Sequence, residues 1–356
     1  MVLGLVAFAL LSACHDEEPR PEPTPYSLEI PAGFPTQLNI PPDNPLTVEG
    51  VRLGRYLFYD GRLAGKASEG KYMSCGTCHL PQNSFEIGLS RPAPIGLSGD
   101  STYHTMLPLI NLVWNPGNFG WNGSVKSIEE DVLLVMSDPT EFDSSPEACA
   151  AAIEAIPGYP PLFEAAFGTS EVTPERIAMA IAQFVRTIIV SDSRFDRYLR
   201  GELQLTSAEL RGFVLFTTEE GADCFHCHGG AGNPLFTTHQ FYNNGKDTDF
   251  SGEADRYSVT GDPQDRGAYK APTLRNAVLT GPYMHDGRFK TLEEVIDFYS
   301  HYVVWSPYID PLMHHVATGG VQLTPDEKSD LLAFLLALTD SSVTINPDFA
   351  PPETFP

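Results

Sequence analysis

Apolar residues recur at helical spacing in several stretches of this 356-residue chain, and alternating strand-like runs are sparse. The clearest stretch is TPERIAMAIAQFVRTIIV, in which Thr173 stands as the N-cap and Pro174 as the first helical residue. The stretch LTPDEKSDLLAFLLALTD repeats this arrangement with Thr324 and Pro325. The pattern predicts a mainly α-helical protein.

A further helix is predicted to begin at Thr291, which forms a capping box with Glu294. At helical spacing, one face of this helix carries Leu292, Val295, Ile296 and Tyr299. Tyr299 is therefore predicted to point inward, whereas His301 lies off this stripe. Periodicity alone favours a core tyrosine whose hydroxyl group bonds to the backbone.

An apolar run at residues 2–13, VLGLVAFALLSA, is too short to span a bilayer as a mature helix. Small residues follow it, which is typical of a signal peptide, here residues 1–13. The sequence LSAC matches a bacterial lipoprotein box, in which Cys14 becomes the lipidated first residue. Residues 14–45 are rich in proline and acidic side chains, which favours a solvated tether. We therefore expect an exported protein, held by lipid at the periplasmic side of a membrane.

The formal net charge of -24 argues against a nucleic-acid partner, because nothing in the chain could neutralise a row of phosphates. Such a charge would steer small basic proteins toward the chain, although a solvated acidic surface explains it equally well. The 31 prolines and 30 glycines indicate long loops between the helices.

Four of the six cysteines lie in two pentapeptides, CGTCH from Cys75 to His79 and CFHCH from Cys224 to His228. A disulfide within each CxxC pair, or a redox CxxC motif, is one interpretation. The histidine directly after the second cysteine favours another, because CxxCH is the attachment motif of c-type haem. The predicted attachment residues are Cys75, Cys78, His79, Cys224, Cys227 and His228. Cys149 is expected to be a buried small hydrophobe.

The surroundings of the two pentapeptides repeat as well. The segments LGRYLFYD (residues 53–60) and RGFVLFTT (residues 211–218) both place Leu-Phe at the same offset after Gly. We therefore predict two cytochrome c-like helical domains, each carrying one covalently attached haem. Their predicted bounds are residues 46–199 and 200–340, with a tail at 341–356.

The order of motifs between about residues 46 and 340 resembles the bacterial di-haem cytochrome c peroxidase and MauG family. The shared features are CxxCH, a central WNG, DPTEF, a second CxxCH, PTLRN, LTGPY and MHDGRFKTLEE. In that family the position of Tyr299 is the ligand of the second haem. It is methionine in ordinary peroxidases and tyrosine in MauG-type enzymes, which oxidise residues of another protein. By residue type, rival ligands are Met284, Met313, His314 and His315.

The same resemblance implies a first haem that reacts with peroxide. Leu97 stands where ordinary peroxidases carry a removable histidine, which implies an open iron; His104, seven residues on, is an alternative ligand. Glu141 of DPTEF matches the catalytic distal glutamate, which moves a proton during peroxide cleavage. Asp131 stands where the family often has glutamine.

The resemblance also assigns residues between the haems. Trp121 matches a catalytic electron-relay tryptophan, whereas Trp114 is expected to pack only. Arg275 and His285 match residues near a haem propionate or on a hydrogen-bond network.

A calcium ion is a further expected group, held by backbone carbonyls matching Thr280 and Pro282. Thr105 stands where the family has an asparagine ligand. Related peroxidases are often dimers, which implies a homodimer.

The preferred hypothesis is a peroxide-dependent di-haem oxidoreductase that uses H2O2 and oxidises a residue of a partner protein. The second is a cytochrome c peroxidase that removes H2O2 with electrons from a small cytochrome c or cupredoxin. The third is a non-enzymatic electron-transfer cytochrome.

Overall fold

The computed structural model describes residues 22–89 and 93–356. The predicted signal peptide and Cys14 lie outside these residues. Within the described ranges, none of the helices has the length and apolar character that crossing a bilayer requires.

Helices dominate the described chain, and the predicted mainly α-helical fold is confirmed. The α-helices are α1 (Val48–Tyr59), α2 (Cys75–Cys78), α3 (Ile128–Ser137), α4 (Pro146–Glu154), α5 (Tyr159–Phe167), α6 (Pro174–Arg186), α7 (Arg194–Leu199), α8 (Ser207–Phe216), α9 (Phe225–His228), α10 (Tyr257–Thr260), α11 (Leu292–His301) and α12 (Pro325–Ala337). Two short antiparallel strands, β1 (Phe241–Tyr242) and β2 (Tyr269–Lys270), pair with each other. The N-caps of α6, α11 and α12 are the predicted threonines, and each side chain accepts a backbone N–H.

The repeated glycine before each pentapeptide has a packing role. Helix α1 packs on α6, and α8 packs on α12 in the same way. A Cβ atom on Gly54 would lie 1.9 Å from the carbonyl oxygen of Ala180, and one on Gly212 would lie 1.9 Å from that of Asp330. Only glycine permits this approach of two helix backbones. The internal repeat is therefore also a structural repeat.

Two large hydrophobic clusters fill the two halves of the molecule. The first includes residues from Leu53 to Val190, and the second residues from Phe195 to Leu338. Cys149 is fully buried in the first cluster, as expected of a small hydrophobe. The ring of Phe195 in α7, a few residues before the predicted boundary at residue 199, packs in the second cluster.

The predicted tether also needs correction from residue 22 onward. A third cluster joins Phe34, Val113, Trp114 and Leu235 to four partly buried residues of this segment, Leu28, Ile30, Leu38 and Ile40. The backbone N–H of Asn39 donates to the carbonyl of Val113 at 2.7 Å. The segment is proline-rich and acidic overall, but its scattered apolar side chains pack against residues of both predicted domains.

The predicted tail is part of the first domain as well. Val343 and Phe349 are buried in the first cluster, with exposed fractions of 1% and 9%. Arg55 of α1 donates from Nε to the carbonyl of Ala350 at 2.9 Å, and the Tyr59 hydroxyl donates to the carbonyl of Phe349. The first core is thus completed by a segment that follows the second domain.

Candidate functional site

The first CxxCH copy forms the short helix α2 and ends at His79, on the wall of a cavity in the first domain. Ser84 and Phe85 have φ angles of 57° and 62°, and this left-handed turn reverses the chain. The carbonyl of Phe85 then lies 2.8 Å from His79 Nδ1. A proton on Nδ1 satisfies this contact and leaves Nε2 available as a metal ligand. Burial lowers the pKa of His79 to about 4, so the ring is neutral.

The second copy is arranged in the same way. His228 ends α9 and lines a second cavity, together with Cys224 and Cys227. Its Nδ1 lies 3.0 Å from the carbonyl of Pro272, and burial lowers the pKa of His228 to about 4. Both histidines therefore present Nε2 in the tautomer that binds iron. Among the described cysteines none forms a disulfide, and burial raises the pKa of the Cys224 and Cys227 thiols to about 12.

The polar groups on the cavity walls fit a haem, which carries two carboxylic side groups. Lys270 is 6% exposed, and burial lowers the pKa of its ammonium group to about 8. Its Nζ contacts the carbonyl of His239 at 3.4 Å, and no carboxylate of the described chain pairs with it. The Nε2 atoms of His104 and His239, both on the first cavity, are buried without a hydrogen-bond partner in the described part. These groups suit an acidic ligand, because buried polar atoms require partners.

The two cavities share one wall, and Trp121 is part of it. The shared residues are Met106, Leu107, Pro108, Trp121, Lys270, Ala271, Pro272 and Thr273. Trp121 Nε1 donates to the carbonyl of Thr105 at 2.9 Å, and its own carbonyl accepts from Lys270 N at 2.8 Å. Trp114, by contrast, packs on Phe34 with ring centres 5.1 Å apart. Of these two tryptophans, only Trp121 lies between the cavities.

Tyr299 faces the second cavity, as the periodicity of α11 predicts. All four residues of the predicted face line that cavity, and His301 is exposed. The Tyr299 hydroxyl accepts a hydrogen bond from Asn244 Nδ2 at 2.9 Å, so its partner is a side chain rather than the predicted backbone group. Burial raises the pKa of Tyr299, while the bond from Asn244 opposes that shift. The hydroxyl oxygen thus has one donor and is directed at the cavity of Cys224 and His228.

Glu141 lines the first cavity, in the turn after α3. Burial raises the pKa of Glu141 to about 7, and the nearby carboxylates of Asp131 and Asp138 add to that shift. Asp131 lies on the wall of the same cavity. A carboxyl with a pKa near neutrality can both accept and donate a proton.

Comparisons with known proteins agree with this arrangement. A sequence profile described as di-haem cytochrome c peroxidase matches residues 48–204. The methylamine utilization protein MauG of Methylorubrum extorquens is 33% identical over 300 residues, covering 84% of this chain and 80% of that protein. The cytochrome c551 peroxidase of Nitrosomonas europaea is 31% identical over 316 residues, covering 86% and 84% of the two chains.

A solved structure of a MauG-like protein associated with microbial copper homeostasis is 35% identical, with a TM-score of 0.79. The match covers 92% of this chain and 99% of that one. The chain belongs to the di-haem cytochrome c peroxidase and MauG family. It is accordingly a peroxidase-family enzyme, and its family membership implies two c-type haems.

The rival ligands of the second haem all line the second cavity too. Met284 shares a neighbour with Tyr299. Its sulfur lies 3.7 Å from Asn244 Nδ2, the atom that donates a hydrogen bond to Tyr299. The two histidines have other partners: His314 Nδ1 lies 3.4 Å from Asp223, and His315 Nε2 lies 2.9 Å from the carbonyl of Glu219. The shared contact with Asn244 makes Met284 the rival that lies closest to Tyr299, and Met313 stays a further candidate ligand on the same cavity wall.

The loop that contains Leu97 lies beside Glu141. The backbone N–H of Leu97 donates to the carbonyl of Glu141 at 2.8 Å. A Cβ atom on Gly96 would lie 2.2 Å from the backbone carbon of Thr140, so the two segments touch. The Leu97 side chain packs on the first core. His104 lies on the first cavity, with its ring centre 5.6 Å from those of Tyr269 and His285.

His285 belongs to an aromatic group between the two cavities. Its ring stacks on Tyr269 with centres 3.6 Å apart, and lies 6.4 Å from Trp121. Its Nε2 lies 3.3 Å from Glu253. The hydrogen bond from His285 lowers the pKa of Glu253 to about 2, although burial opposes it.

Arg275 belongs to a buried hydrogen-bond network. Its NH1 and NH2 atoms donate to Asp196 at 2.8 and 2.7 Å, and Nε donates to the carbonyl of Pro234. The side chain is 1% exposed and lies on neither cavity wall. Of its two expected roles, only the hydrogen-bond network fits, because the buried carboxylate occupies the guanidinium.

Two of the three residues expected at a calcium site, Thr105 and Pro282, lie close to each other. Thr280 and Pro282 line the second cavity, and both Thr105 and Pro282 lie within 3.1 Å of a Cβ built on Gly287. The Thr105 hydroxyl donates to the carbonyl of Met284 at 2.9 Å.

Three residues of the site were missed from sequence. Asn244, Lys270 and His239 lie in a stretch without helical or alternating periodicity, so no pattern predicts which way they point. The stretch AYKAPTLRN carries two charges, Lys270 and Arg275, and the charge itself was the one signal for Lys270.

Proposed function

We propose that this enzyme reduces H2O2 at the haem of His79 and draws two electrons, one at a time, through Trp121 and the haem of His228. The overall balance is H2O2 with two protons and two electrons giving two molecules of water. When bound, each haem would supply an iron that takes an oxygen ligand or passes single electrons. The observation that carries the proposal is one tryptophan on the wall shared by two CxxCH cavities.

Glu141 is the residue that we assign to proton transfer. Its carboxylate would take the proton from the inner oxygen of peroxide and return it to the outer oxygen, which leaves as water. The carboxyl faces the cavity of His79, and its pKa of about 7 places it between the two protonation states at neutral pH. Asp131 would act on Glu141 as a like charge rather than on the peroxide.

We further propose MauG-type chemistry, in which the electrons come from a residue of a partner protein. Tyr299 supports it, because an anionic phenolate stabilises oxidised iron, whereas a thioether favours the reduced state. Asn244 supports phenolate formation by donating to the hydroxyl oxygen at 2.9 Å. The MauG and MauG-like relatives favour the same interpretation.

The test compares Tyr299→Phe with Met284→Leu by low-temperature electron paramagnetic resonance of the ferric holoenzyme. Tyr299→Phe should change the spin state of one haem, and Met284→Leu should leave both signals in place. The opposite result would assign the sulfur of Met284 as the ligand and favour an ordinary peroxidase. Pyridine haemochrome spectra should confirm two haems in both variants.

A cytochrome c peroxidase is the second candidate, and the relative from Nitrosomonas europaea favours it. Steady-state turnover with a reduced small cytochrome or cupredoxin separates the two proposals. Rapid oxidation of such a donor would support the second candidate.

We place the enzyme on the periplasmic side of a membrane, attached through lipid on Cys14. Incorporation of radiolabelled palmitate into wild type, compared with Cys14→Ser, would test this attachment.

A further inference from the structure

One histidine of the CFHCH pentapeptide has no role in haem attachment. His226 stands between the two cysteines, where the first copy has Thr77. It lies near Asp223 and His314, and one ligand atom from each residue lies within 4.8 Å of the other two. We propose that Asp223, His226 and His314 bind a divalent transition-metal ion, Zn²⁺ or Cu²⁺.

The two oxygens of Asp223 face different imidazoles. Oδ1 lies 2.6 Å from His226 Nδ1, and Oδ2 lies 3.4 Å from His314 Nδ1. The first distance is a short hydrogen bond and the second is long for one, so the carboxylate satisfies His226 more fully than His314. The rings of His226 and His314 stand nearly perpendicular, at 82°, with centres 5.3 Å apart. This spread of directions suits ligands around a common centre.

The contact of the second ring nitrogen of His226 also resembles that of a metal-binding histidine. This nitrogen, Nε2, lies 3.6 Å from the carboxylate of Glu219. Ligating histidines usually direct their second N–H at a carboxylate or carbonyl, which fixes the ring and raises its basicity. The backbone of Glu219 is in turn held by His315 Nε2 at 2.9 Å. The site therefore has an inner set of ligands and a supporting outer carboxylate.

The donor types decide the class of ion. Two imidazole nitrogens and one carboxylate oxygen suit zinc and copper, whereas calcium and magnesium take oxygen ligands. The side chain of Asp223 is 6% exposed and that of His226 is 20% exposed, but that of His314 is 41% exposed. An ion can therefore enter from solvent at His314, and a water molecule can complete a four-coordinate site. Copper should bind more tightly than zinc.

The experiment uses full-length holoenzyme treated with a chelator and then desalted. Calorimetric titration with Zn²⁺ should give one ion per chain. His226→Thr, which copies the first pentapeptide, and His314→Gln should each weaken zinc binding at least about tenfold. His301→Gln, which removes an exposed histidine of α11, should bind zinc as wild type does. The proposal is overturned if no stoichiometric zinc binds, or if His226→Thr and His314→Gln bind it with unchanged affinity.

Two further measurements test the metal site even if a histidine variant fails to bind haem. Asp223→Asn keeps the left-handed backbone at φ 54°, which asparagine tolerates, and should also weaken zinc binding about tenfold or more. In wild type, the electron paramagnetic resonance spectrum of bound Cu²⁺ should show splitting from two imidazole nitrogens. A spectrum without nitrogen splitting would place copper elsewhere and overturn the assignment. Neither measurement depends on the proposed peroxidase reaction.

Discussion

The pKa of Glu141 makes the reaction with peroxide depend on pH in a defined direction. Burial raises this pKa to about 7, so the carboxylate fraction increases about tenfold between pH 6 and pH 8. If the carboxylate accepts the proton of peroxide, the second-order rate constant should rise by about the same factor. An ordinary glutamate would be ionised throughout this range and would give a flat profile.

Substitution of Glu141 gives the magnitude of its contribution. Glu141→Gln keeps the size of the side chain but removes the base, and general acid–base catalysis is typically worth about 10²- to 10⁴-fold. Asp131→Asn removes a like charge that raises the pKa of Glu141, so the midpoint of the profile should move to lower pH. Glu154→Gln is the matched control, because Glu154 is exposed on α4 of the same domain.

Stopped-flow mixing of the ferric holoenzyme with H2O2 measures these rate constants. Wild type and Glu154→Gln should give the same sloping profile, and Glu141→Gln a slow and flat one. A wild-type rate constant that does not change between pH 6 and pH 8, or a Glu141→Gln variant that reacts at the wild-type rate, would contradict the assignment.

Three further predictions concern the electron route, the second haem and the fold. Trp121→Phe should slow turnover, whereas Trp114→Phe should not, because only Trp121 borders both cavities; steady-state kinetics of both variants check this. Asn244→Leu removes the donor that lowers the pKa of Tyr299. The pH at which acid breaks phenolate ligation should therefore rise by about one unit, because a hydrogen bond is worth about 1 kcal/mol. Absorbance spectra recorded during a pH titration measure this loss of phenolate ligation in wild type and variant. Phe349→Ala should lower the free energy of unfolding by about 3 kcal/mol, measured by denaturant titration, and an unchanged value would show that residue 349 adds nothing to the first core.

Local features of the fold could be predicted from sequence because their causes lie within a few residues. Thr291 caps α11 through a residue three positions away, and the inward direction of Tyr299 follows from the period of the same helix. The CxxCH motifs are equally local. The repeated glycines, by contrast, were noticed as a pattern, and their close approach to a partner helix became visible only in three dimensions.

The parts that could not be predicted depend on distant segments. Asn244 meets Tyr299 across 55 residues of chain, and no periodicity marks it. The segment after residue 22 was misread because its average composition is acidic and proline-rich, whereas its packing depends on a few apolar residues such as Ile30 and Phe34. For Arg275 the resemblance left open a haem propionate or a hydrogen-bond network, and its partner Asp196, 79 residues away along the chain, could not be named from sequence.

The return of residues 343–349 to the first core affects how the protein matures. A domain usually folds once its own sequence has been synthesised. Here the amino-terminal half lacks Phe349, and the anchoring of Arg55 and Tyr59, until almost the entire chain has emerged. Both haem-binding halves should therefore reach their final packing at nearly the same moment, and a fragment ending before residue 341 should be open to proteolysis in its earlier half.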